Sequence, residues 1–270
     1  MPEAHSSTLS LAATVLMLRD TEAGPEVFMI KRHQKMGFAA GALVFPGGRL
    51  DQADGDESCL RFCTGGDTLD AAERAMRVCA IRETFEESGI LLAHDGDAPE
   101  LLSGERAREL QARYRDKMNR GETGIWDMAA AENLKLACGN LTPFAHWITP
   151  EGLPRRYDTH FYLIAAPEEQ AASHDTVESV ASTWTTPAQA LADADAVIAE
   201  PGARLFDDAR LDAEIEDLAD LGDAFAIHDV EFDLLERRRD LVLDGRDLGP
   251  VASDLVTILD SSNTPNIQTD

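Results

Sequence analysis

The sequence predicts an α+β fold in a single domain, and three observations lead to this prediction. Segments with strand character lie both before and after one long helical segment at residues 71–88. No internal repeat or low-complexity linker divides the chain. A length of 270 residues suits one large domain with insertions, or two small domains. We expect one domain over residues 8–245, followed by a partly disordered C-terminal tail at 246–270.

Strand candidates occupy the N-terminal and central parts of the chain. The first two are LAATVLML at residues 11–18 and EVFMIK at residues 26–31, joined by a turn that contains Gly24 and Pro25. A short third strand is expected at residues 42–45, within a glycine-rich stretch. Further strands are predicted at residues 142–148, 157–165 and 179–184.

Helical patterns fill most of the remaining segments. The clearest helix, at residues 71–88, has Asp70 to cap its start and Gly89 to end it. Residues 51–70 are acidic, aperiodic and glycine-bearing, so we expect an exposed insertion there. Residues 224–243 fit either two strands or a strand and a helix. Further helices are predicted at residues 100–120, 126–137, 188–194 and 201–224, the first two within a helical insertion at about 99–138.

The charge balance bears on the class of partner. The chain carries 50 acidic and 24 basic side chains, for a net charge of −26, which argues against a nucleic-acid partner. No apolar run reaches the roughly 20 residues of a membrane span, and the N-terminus lacks the basic region of a secretory signal. We expect a cytoplasmic protein with no membrane partner and leave a homodimer open. Its four cysteines are expected to be reduced structural thiols: Cys59, Cys63, Cys79 and Cys138.

The segment RETFEESGI at residues 82–90 carries the chemistry. On a helix, Glu83, Glu86 and Glu87 share one face, because they are spaced by three and four residues. Such close like charges are unfavourable alone, and a hard divalent cation removes the penalty. Arg82 can hold one carboxylate by a charge-assisted hydrogen bond. The opposite side carries apolar residues that can pack against a sheet: Val78, Ile81 and Phe85.

A solvated surface helix would show the same glutamates, so the context decides between the two interpretations. The turn FPGG at residues 45–48, followed by RExxEExG and an aliphatic residue, resembles the Nudix box of Nudix hydrolases. Three departures from the family pattern stand out. About 20 extra residues separate Gly48 from Arg82, and Thr84 replaces an aliphatic residue. The upstream acid of the box has two candidates, Asp54 and Glu73.

An interrupted box of this kind resembles the Nudix branch that includes the animal peroxisomal coenzyme A diphosphatase and its bacterial relatives. LTPF at residues 141–144 and RYDTHF at residues 156–161 also match, and the resemblance covers roughly residues 10–190. Arg32, Gly41 and FPGG align with an element of coenzyme A-directed enzymes, while the residues at two of its positions differ: His33 and Gly37.

The resemblance implies an α/β/α sandwich with a mixed sheet and extra helices. It also implies hydrolysis of the diphosphate linkage of coenzyme A or an acyl-coenzyme A, giving 3′,5′-ADP and (acyl-)phosphopantetheine. Mg2+ or Mn2+ would be bound by Glu83, Glu86 and Glu87. Catalysis would involve Glu86, Glu87 and Arg82, and substrate phosphates would be bound by Arg32, Gly47 and Gly48. Sequence leaves open whether Glu86 is a third ligand or the general base.

The sequence leaves the roles of several other residues, and two other functions, open. Glu178 fits a base or ligand from a loop, although a surface glutamate would look the same. Arg155 and Arg156 fit either contacts to the distal half of the substrate or an ion pair with a neighbour such as Asp158. Two other functions compete: a Nudix pyrophosphatase for ADP-ribose, NADH or another nucleotide, and a non-catalytic nucleotide-binding module. Residues of strand-like segments are expected in the core or a pocket wall, without a catalytic role: His146, Trp147 and His160.

Overall fold

The structure, a computed structural model, describes residues 9–22, 24–32, 43–149, 156–170, 179–190, 192, 242–243 and 246–247. Contacts divide the chain into two compact units. The first comprises Met1–Arg19 and Phe45–Asp175, and the second comprises Asp20–Val44 and Thr176–Asp270. Each unit has strands and a buried apolar core within its described residues.

The described strands and helices have the following bounds. The strands are β1 (Leu9–Thr21), β2 (Gly24–Arg32), β3 (Leu43–Val44), β4 (Gly47–Arg49), β5 (Ala93–Asp95), β6 (Leu134–Leu136), β7 (Thr142–Ile148), β8 (Arg156–Ala165), β9 (Ser179–Thr185), β10 (Val242–Leu243) and β11 (Arg246–Asp247). The α-helices are α1 (Ala71–Ser88), α2 (Gly104–Asn119) and α3 (Ile125–Glu132), and residues 187–190 and 192 are also helical. Short 3-10 helices lie at Gln52–Gly55, Glu57–Phe62, Gly66–Thr68 and Cys138–Asn140.

The first unit contains a mixed sheet with the strand order β4-β1-β8-β7. β1 and β8 are parallel, whereas β4 and β7 pair antiparallel with β1 and β8, respectively. The central strands are apolar, as expected for strands covered on both faces. Val15, Leu16 and Leu163 are fully buried. Helix α1 contacts β4 and β8, so its apolar side joins the same core.

The second unit contains a small antiparallel sheet in which β2 lies between β3 and β9. The four residues from Val27 to Ile30 are buried, which explains why this segment is apolar without strict alternation. Phe28 packs against Trp184, with ring centroids 5.2 Å apart. The strands predicted at 26–31 and 179–184 are therefore confirmed.

Helix α1 begins and ends where local signals predict. The carboxylate of Asp70 accepts the backbone N–H of Glu73 at 2.8 Å, which satisfies one of the free donors of the first turn. At the other end Gly89 adopts a left-handed conformation, with φ of 74°. The three apolar residues of its inner side are fully buried: Val78, Ile81 and Phe85. The prediction of a helix over residues 71–88 is confirmed.

Thr84 occupies a buried position in α1 where the family pattern has an aliphatic residue. Its side chain is fully buried, and its hydroxyl donates to the carbonyl of Ala80 at 2.7 Å. This bond to the preceding turn satisfies the hydroxyl, so threonine fits among apolar neighbours.

The segment at residues 51–70 is more ordered than the sequence suggested. It forms three short 3-10 helices, two of them capped by the side chains of Asp51 and Asp56. Asp54 is 2% exposed, and the indole N–H of Trp126 donates to the carbonyl of Ala53 at 2.7 Å. As expected, most residues of this insertion are exposed, although Asp54 and Cys63 are buried. The sequence did not predict its short helices, because single helical turns are too short to show a hydrophobic period.

The helix predicted at residues 126–137 is too long. Helix α3 ends at Glu132, since Asn133 adopts a left-handed conformation with φ of 55°. The chain then forms β6, which pairs antiparallel with β5. Asparagine is one of the few residues other than glycine that tolerates this conformation, so a single residue ends the helix.

The remaining expectations have mixed outcomes. The strands at 11–18, 142–148 and 157–165 and the helix at 100–120 are confirmed to within a few residues at each end. The helix at 201–224 and most of the segment 224–243 lie outside the described residues, and the domain limits 8–245 stay a prediction. None of the described helices is long and apolar enough to cross a lipid bilayer. The four cysteines are free thiols, as expected.

Candidate active site

The carboxylate face of α1 lies against the glycine turn at β4. The backbone N–H of Gly47 donates to Oε2 of Glu87 at 2.8 Å. A Cβ on Gly48 would lie 2.4 Å from Cδ of Glu83, so only glycine allows this side chain its position. Sequence positions separated by more than 30 residues therefore meet at one place, as the two halves of the motif require.

The sheet holds this turn in place. Gly47 and Gly48 of β4 pair with Thr14 and Ala13 of β1, and Val15 donates its N–H to the carbonyl of Pro46 at 2.9 Å. A Cβ on Gly47 would lie 2.5 Å from the carbonyl oxygen of Ala13. The two glycines thus have different duties, since Gly47 lets two backbones approach and Gly48 makes room for a carboxylate.

Arg82 joins the acidic side chains around it. Its Nε and Nη2 donate to the two oxygens of Asp54 at 2.8 and 2.9 Å, a bidentate pair. Its Nη1 donates to Oε1 of Glu83 at 2.8 Å and to Oε2 of Glu86 at 3.0 Å. A further bond from Nη2 reaches the carbonyl of Arg49 at 3.0 Å. One guanidinium therefore orients two of the three predicted metal ligands and fixes them to the loop after β4.

The two candidates for the upstream acid of the motif lie in different places. Asp54, at the family spacing from Gly48, pairs with Arg82, and its side chain is 1% exposed. Glu73 instead pairs with Arg77 at 2.8 Å, one helical turn along α1. The structure brings Asp54, and not Glu73, to the carboxylate face.

Burial strengthens the electrostatics of this cluster. Burial raises the pKa of Glu86, and the neighbouring carboxylate of Glu83 adds to the effect, while Arg82 opposes it. Burial would lower the pKa of Arg82, but its bonds to Asp54 and the charge of Glu83 outweigh burial and raise it. Burial also raises the pKa of the Cys79 thiol, which therefore stays protonated beside Arg82. A protonated Arg82 therefore lies beside Glu86, a carboxylate whose charged form is disfavoured by burial.

Helix α2 supports the end of α1. The buried guanidinium of Arg115 donates to the carbonyl of Glu86 at 2.9 Å and to that of Glu87 at 2.6 Å. A cation at this end of the helix satisfies free carbonyls and opposes the negative pole of the helix dipole. The backbone that carries the last two glutamates is thereby held by a second helix.

The donor set fits a hard divalent cation. Glu83 and Glu86 have side chains only 17% and 24% exposed, and Arg82 partly balances their charges. All the donor atoms are carboxylate oxygens, which Mg2+ and Mn2+ prefer over the softer metals.

Other residues that the sequence singled out lie outside the carboxylate cluster or outside the described ranges. Arg32 ends β2 in the second unit, and its backbone is paired with Ser179. The Nε of Arg156 donates to the carbonyl of Thr149 at 3.0 Å, whereas Asp158 contacts His146. Of the two explanations that the sequence left open for Arg156, the ion pair with Asp158 is therefore not formed. The residues outside the described ranges are His33, Gly37, Gly41, Arg155 and Glu178.

Of the residues that shape the site, the sequence left Asp54 ambiguous and did not predict Arg115. The spacing rule had offered Asp54 only as one of two candidates, and no signal gave its contact with Arg82. Arg115 was missed entirely, because its partners are backbone carbonyls about 30 residues away in sequence. An arginine among the apolar positions of α2 was the only available sign.

Comparisons with known proteins find similarity to the same family as the sequence motif, the Nudix hydrolases. A family profile described as the NUDT19 Nudix domain matches residues 63–202, just over half of the chain. Two curated relatives named acyl-coenzyme A diphosphatase NUDT19 are similar over 62% of this chain. The one from Xenopus laevis is 29% identical with 54% of its length covered, and the one from Gallus gallus is 32% identical with 55% covered. The chain thus spans about half the length of these relatives.

A solved structure shares the fold. The crystal structure of a NUDIX hydrolase from Alicyclobacillus acidocaldarius superposes with a TM-score of 0.58 at 27% sequence identity. The superposition covers 71% of this chain and 85% of that chain. The predicted fold class, a mixed sheet with helices in an α/β/α arrangement, is confirmed by this likeness.

Proposed function

The chain belongs to the NUDT19 Nudix domain family, and on that premise we propose that it hydrolyses the diphosphate linkage of a nucleoside diphosphate derivative, with coenzyme A or an acyl-coenzyme A as substrate. The products would be 3′,5′-ADP and phosphopantetheine or its acylated form. Water would attack one phosphorus, the bridging P–O bond would break, and two monophosphates would leave.

One observation carries this proposal: the carboxylate face of α1 contacts the glycine turn at β4. Gly47 donates to Glu87, and the missing Cβ of Gly48 accommodates Glu83. The alternative of a solvated surface helix predicts none of these contacts. A cluster of oxygen donors beside a turn without side chains suits a cation together with a phosphate group.

We assign Mg2+ or Mn2+ to Glu83, Glu86 and Glu87. When bound, such an ion would neutralise phosphoryl oxygens and make water a better nucleophile. Arg82 positions Glu83 and Glu86 through its bonds of 2.8 and 3.0 Å. Either Glu86 or Glu87 would take the proton from the attacking water, and Arg32 would bind a substrate phosphate at the end of β2.

Two sources support the choice of substrate. Curated relatives carry the name acyl-coenzyme A diphosphatase, and Arg32 with FPGG aligns with the coenzyme A-directed element. Other nucleotides, such as ADP-ribose or NADH, remain the competing substrates. A non-catalytic module is the weaker alternative, because binding alone does not require three carboxylates and the arginine that orients them.

Product analysis tests the proposal. Purified protein is incubated with Mg2+ or Mn2+ and, separately, with coenzyme A, acyl-coenzyme A, NADH and ADP-ribose, and the products are separated by chromatography. We expect 3′,5′-ADP from the coenzyme A substrates at a higher kcat/KM than for the other two. Faster release of AMP from NADH or ADP-ribose would reassign the substrate, and no turnover of any compound would favour the binding module.

A matched pair of variants on α1 tests the site. Glu87→Gln is expected to abolish turnover while the fold stays intact, because it removes a charge from the carboxylate face. Glu73→Gln makes the same change on the same helix, where the carboxylate pairs with Arg77, and should leave kcat near the wild-type value. Undiminished turnover in Glu87→Gln, with circular dichroism unchanged, would remove the proposed role.

A further inference from the structure

A second group of metal-ligating side chains lies on the sheet of the first unit. His146 on β7 and Asp158 and His160 on β8 each offer one donor atom, and these three atoms lie within 4.8 Å of one another. Nε2 of His146 contacts Oδ1 of Asp158, and Nε2 of His160 lies 3.8 Å from the same oxygen. None of these residues takes part in the carboxylate site of α1.

The strand register places the three side chains together. His146 and His160 are direct partners in the antiparallel pair of β7 and β8. Asp158 precedes His160 by two residues, so both side chains leave the same face of the sheet. The imidazole rings are 4.4 Å apart between centroids. Two hydrogen-bonded strands thus fix the donors with no help from a loop.

A contact between His146 and Asp158 explains only part of this arrangement. His160 directs its Nε2 toward the same carboxylate oxygen, although a single pair would not need a second imidazole. The side chains of His146 and His160 are 46% and 31% exposed, so water or a further ligand can approach.

We propose that His146, Asp158 and His160 bind one transition-metal ion of the zinc class. Two imidazole nitrogens and one carboxylate oxygen are a donor set that occurs in zinc sites with one open position. Zinc with its ligands at about 2.0–2.2 Å needs donor atoms roughly 3.3–3.5 Å apart, so the three side chains need only small rotations. The ion would connect β7 and β8 through their side chains.

The two sites should select different metals. Imidazole favours Zn2+, Cu2+ and Ni2+, and these three ions bind to imidazole far more strongly than Mg2+ does. The three glutamates of α1 offer oxygen alone and suit Mg2+. Excess Mg2+ should therefore fill the carboxylate site without displacing zinc from the histidines, which makes the inference testable apart from any hydrolase activity.

Zinc binding is measured by equilibrium dialysis and titration calorimetry in the presence of millimolar Mg2+. We expect the full-length wild-type protein to take up about one equivalent of Zn2+, and its Tm to rise. Loss of a residue that only supports a metal ligand weakens metal binding by about 10–100-fold. His146→Gln and His160→Gln each remove a ligand, so each should weaken zinc binding by more than this. Glu87→Gln, the control at the carboxylate site of α1, should still bind about one equivalent of Zn2+.

Three results would overturn the inference. The first is that the wild type takes up no zinc in excess Mg2+, and the second is that both histidine variants take up as much zinc as the wild type. The third is that Glu87→Gln no longer binds one equivalent of Zn2+. Circular dichroism checks that each variant is folded. Should His160→Gln unfold, His146→Gln decides the question, because His146 is the more exposed of the two imidazoles. Co2+ in place of Zn2+ should give visible absorption bands of nitrogen ligation that both histidine variants lose.

Discussion

Gly47 and Gly48 are adjacent, yet a methyl group added at Gly48 would meet a side chain, whereas one added at Gly47 would meet backbone. A Cβ at Gly48 would meet the carboxylate end of Glu83 at 2.4 Å, whereas a Cβ at Gly47 would meet the backbone of Ala13 at 2.5 Å. A side-chain end can rotate away, but a paired strand cannot move without breaking its hydrogen bonds. One glycine therefore serves the chemistry, and the other serves the fold.

Gly48→Ala is predicted to lower turnover without lowering stability much. Glu83 must leave its position, which breaks its 2.8 Å bond to Arg82 and weakens metal binding. Gly47→Ala is predicted to reduce the free energy of unfolding by about 1–3 kcal/mol, because strand β4 must shift. Urea denaturation and Mg2+ titration of both variants separate the effects. Equal loss of stability in the two variants would contradict this division.

Asp54→Ala is predicted to be strongly destabilising. The buried carboxylate makes both bonds of a bidentate pair with Arg82, at 2.8 and 2.9 Å. Removing one partner of such a buried pair should reduce the free energy of unfolding by about 3 kcal/mol. Asp51→Ala is the control in the same turn, where the side chain caps backbone N–H groups and pairs with no arginine, and should cost about 1 kcal/mol. Similar losses in both, measured by chemical denaturation, would mean that the pair contributes little.

The sequence could predict which residues form the carboxylate face but not how they are held. Glu83, Glu86 and Glu87 follow from helical spacing alone. The partners of Arg82 depend on the path of residues 49–81, and no local rule describes that path. The sequence also did not predict the cluster of His146, Asp158 and His160, because this cluster depends on the register between two strands rather than on spacing within one.

At the scale of elements, prediction succeeded where signals are local. Helix α1 has a capping aspartate, an apolar side and a terminal glycine, and its bounds agree with the structure. The end of α3 was misplaced, since Leu134–Leu136 has no strand signal apart from its pairing with β5. The turns at residues 51–70 depend on packing against α1 and α3, which a sequence pattern does not reveal.

The contact between α2 and α3 should depend on pH through Glu132. Hydrogen bonds from Tyr114, and then from Arg106 and Arg113, lower the pKa of this glutamate. A lowered pKa stabilises the folded state above the ordinary glutamate value of about 4.3, and the contribution is lost as pH falls through the lowered value. Glu132→Gln should therefore reduce stability at neutral pH, and the difference from wild type should vanish in acid.

Glu109→Gln is the matched control for this prediction. Glu109 lies on α2 beside the same Arg106, at 3.9 Å, but its side chain is 54% exposed. Solvent screens such a pair, so its removal should change the free energy of unfolding by well under about 1 kcal/mol. Thermal denaturation of the three proteins across the acidic range gives the comparison. A difference for Glu132→Gln that persists at the lowest pH would rule out a titrating carboxylate as its source.

At the scale of the whole molecule, the charge of −26 affects every measurement of the metal site. Such an excess of acidic groups repels itself in the folded state, and any added salt reduces the repulsion by screening. A rise in Tm with Mg2+ alone would therefore not establish a specific site. The specific and general effects have to be separated by ionic strength and by a variant that lacks one ligand.

Mg2+ is predicted to stabilise the wild-type protein beyond its effect on ionic strength. An ion that binds only the folded state adds about 2.7 kcal/mol at 100 times its Kd, which for a chain of this size raises Tm by about 5–10 °C. NaCl at matched ionic strength should raise Tm of the wild type and of Glu87→Gln equally, since both remain strongly acidic. The additional rise with Mg2+ should disappear in Glu87→Gln, because the two remaining carboxylates hold the ion too weakly. If Mg2+ and matched NaCl shift the wild type by the same amount, the glutamates of α1 do not form a metal site, and the family's chemistry cannot proceed there.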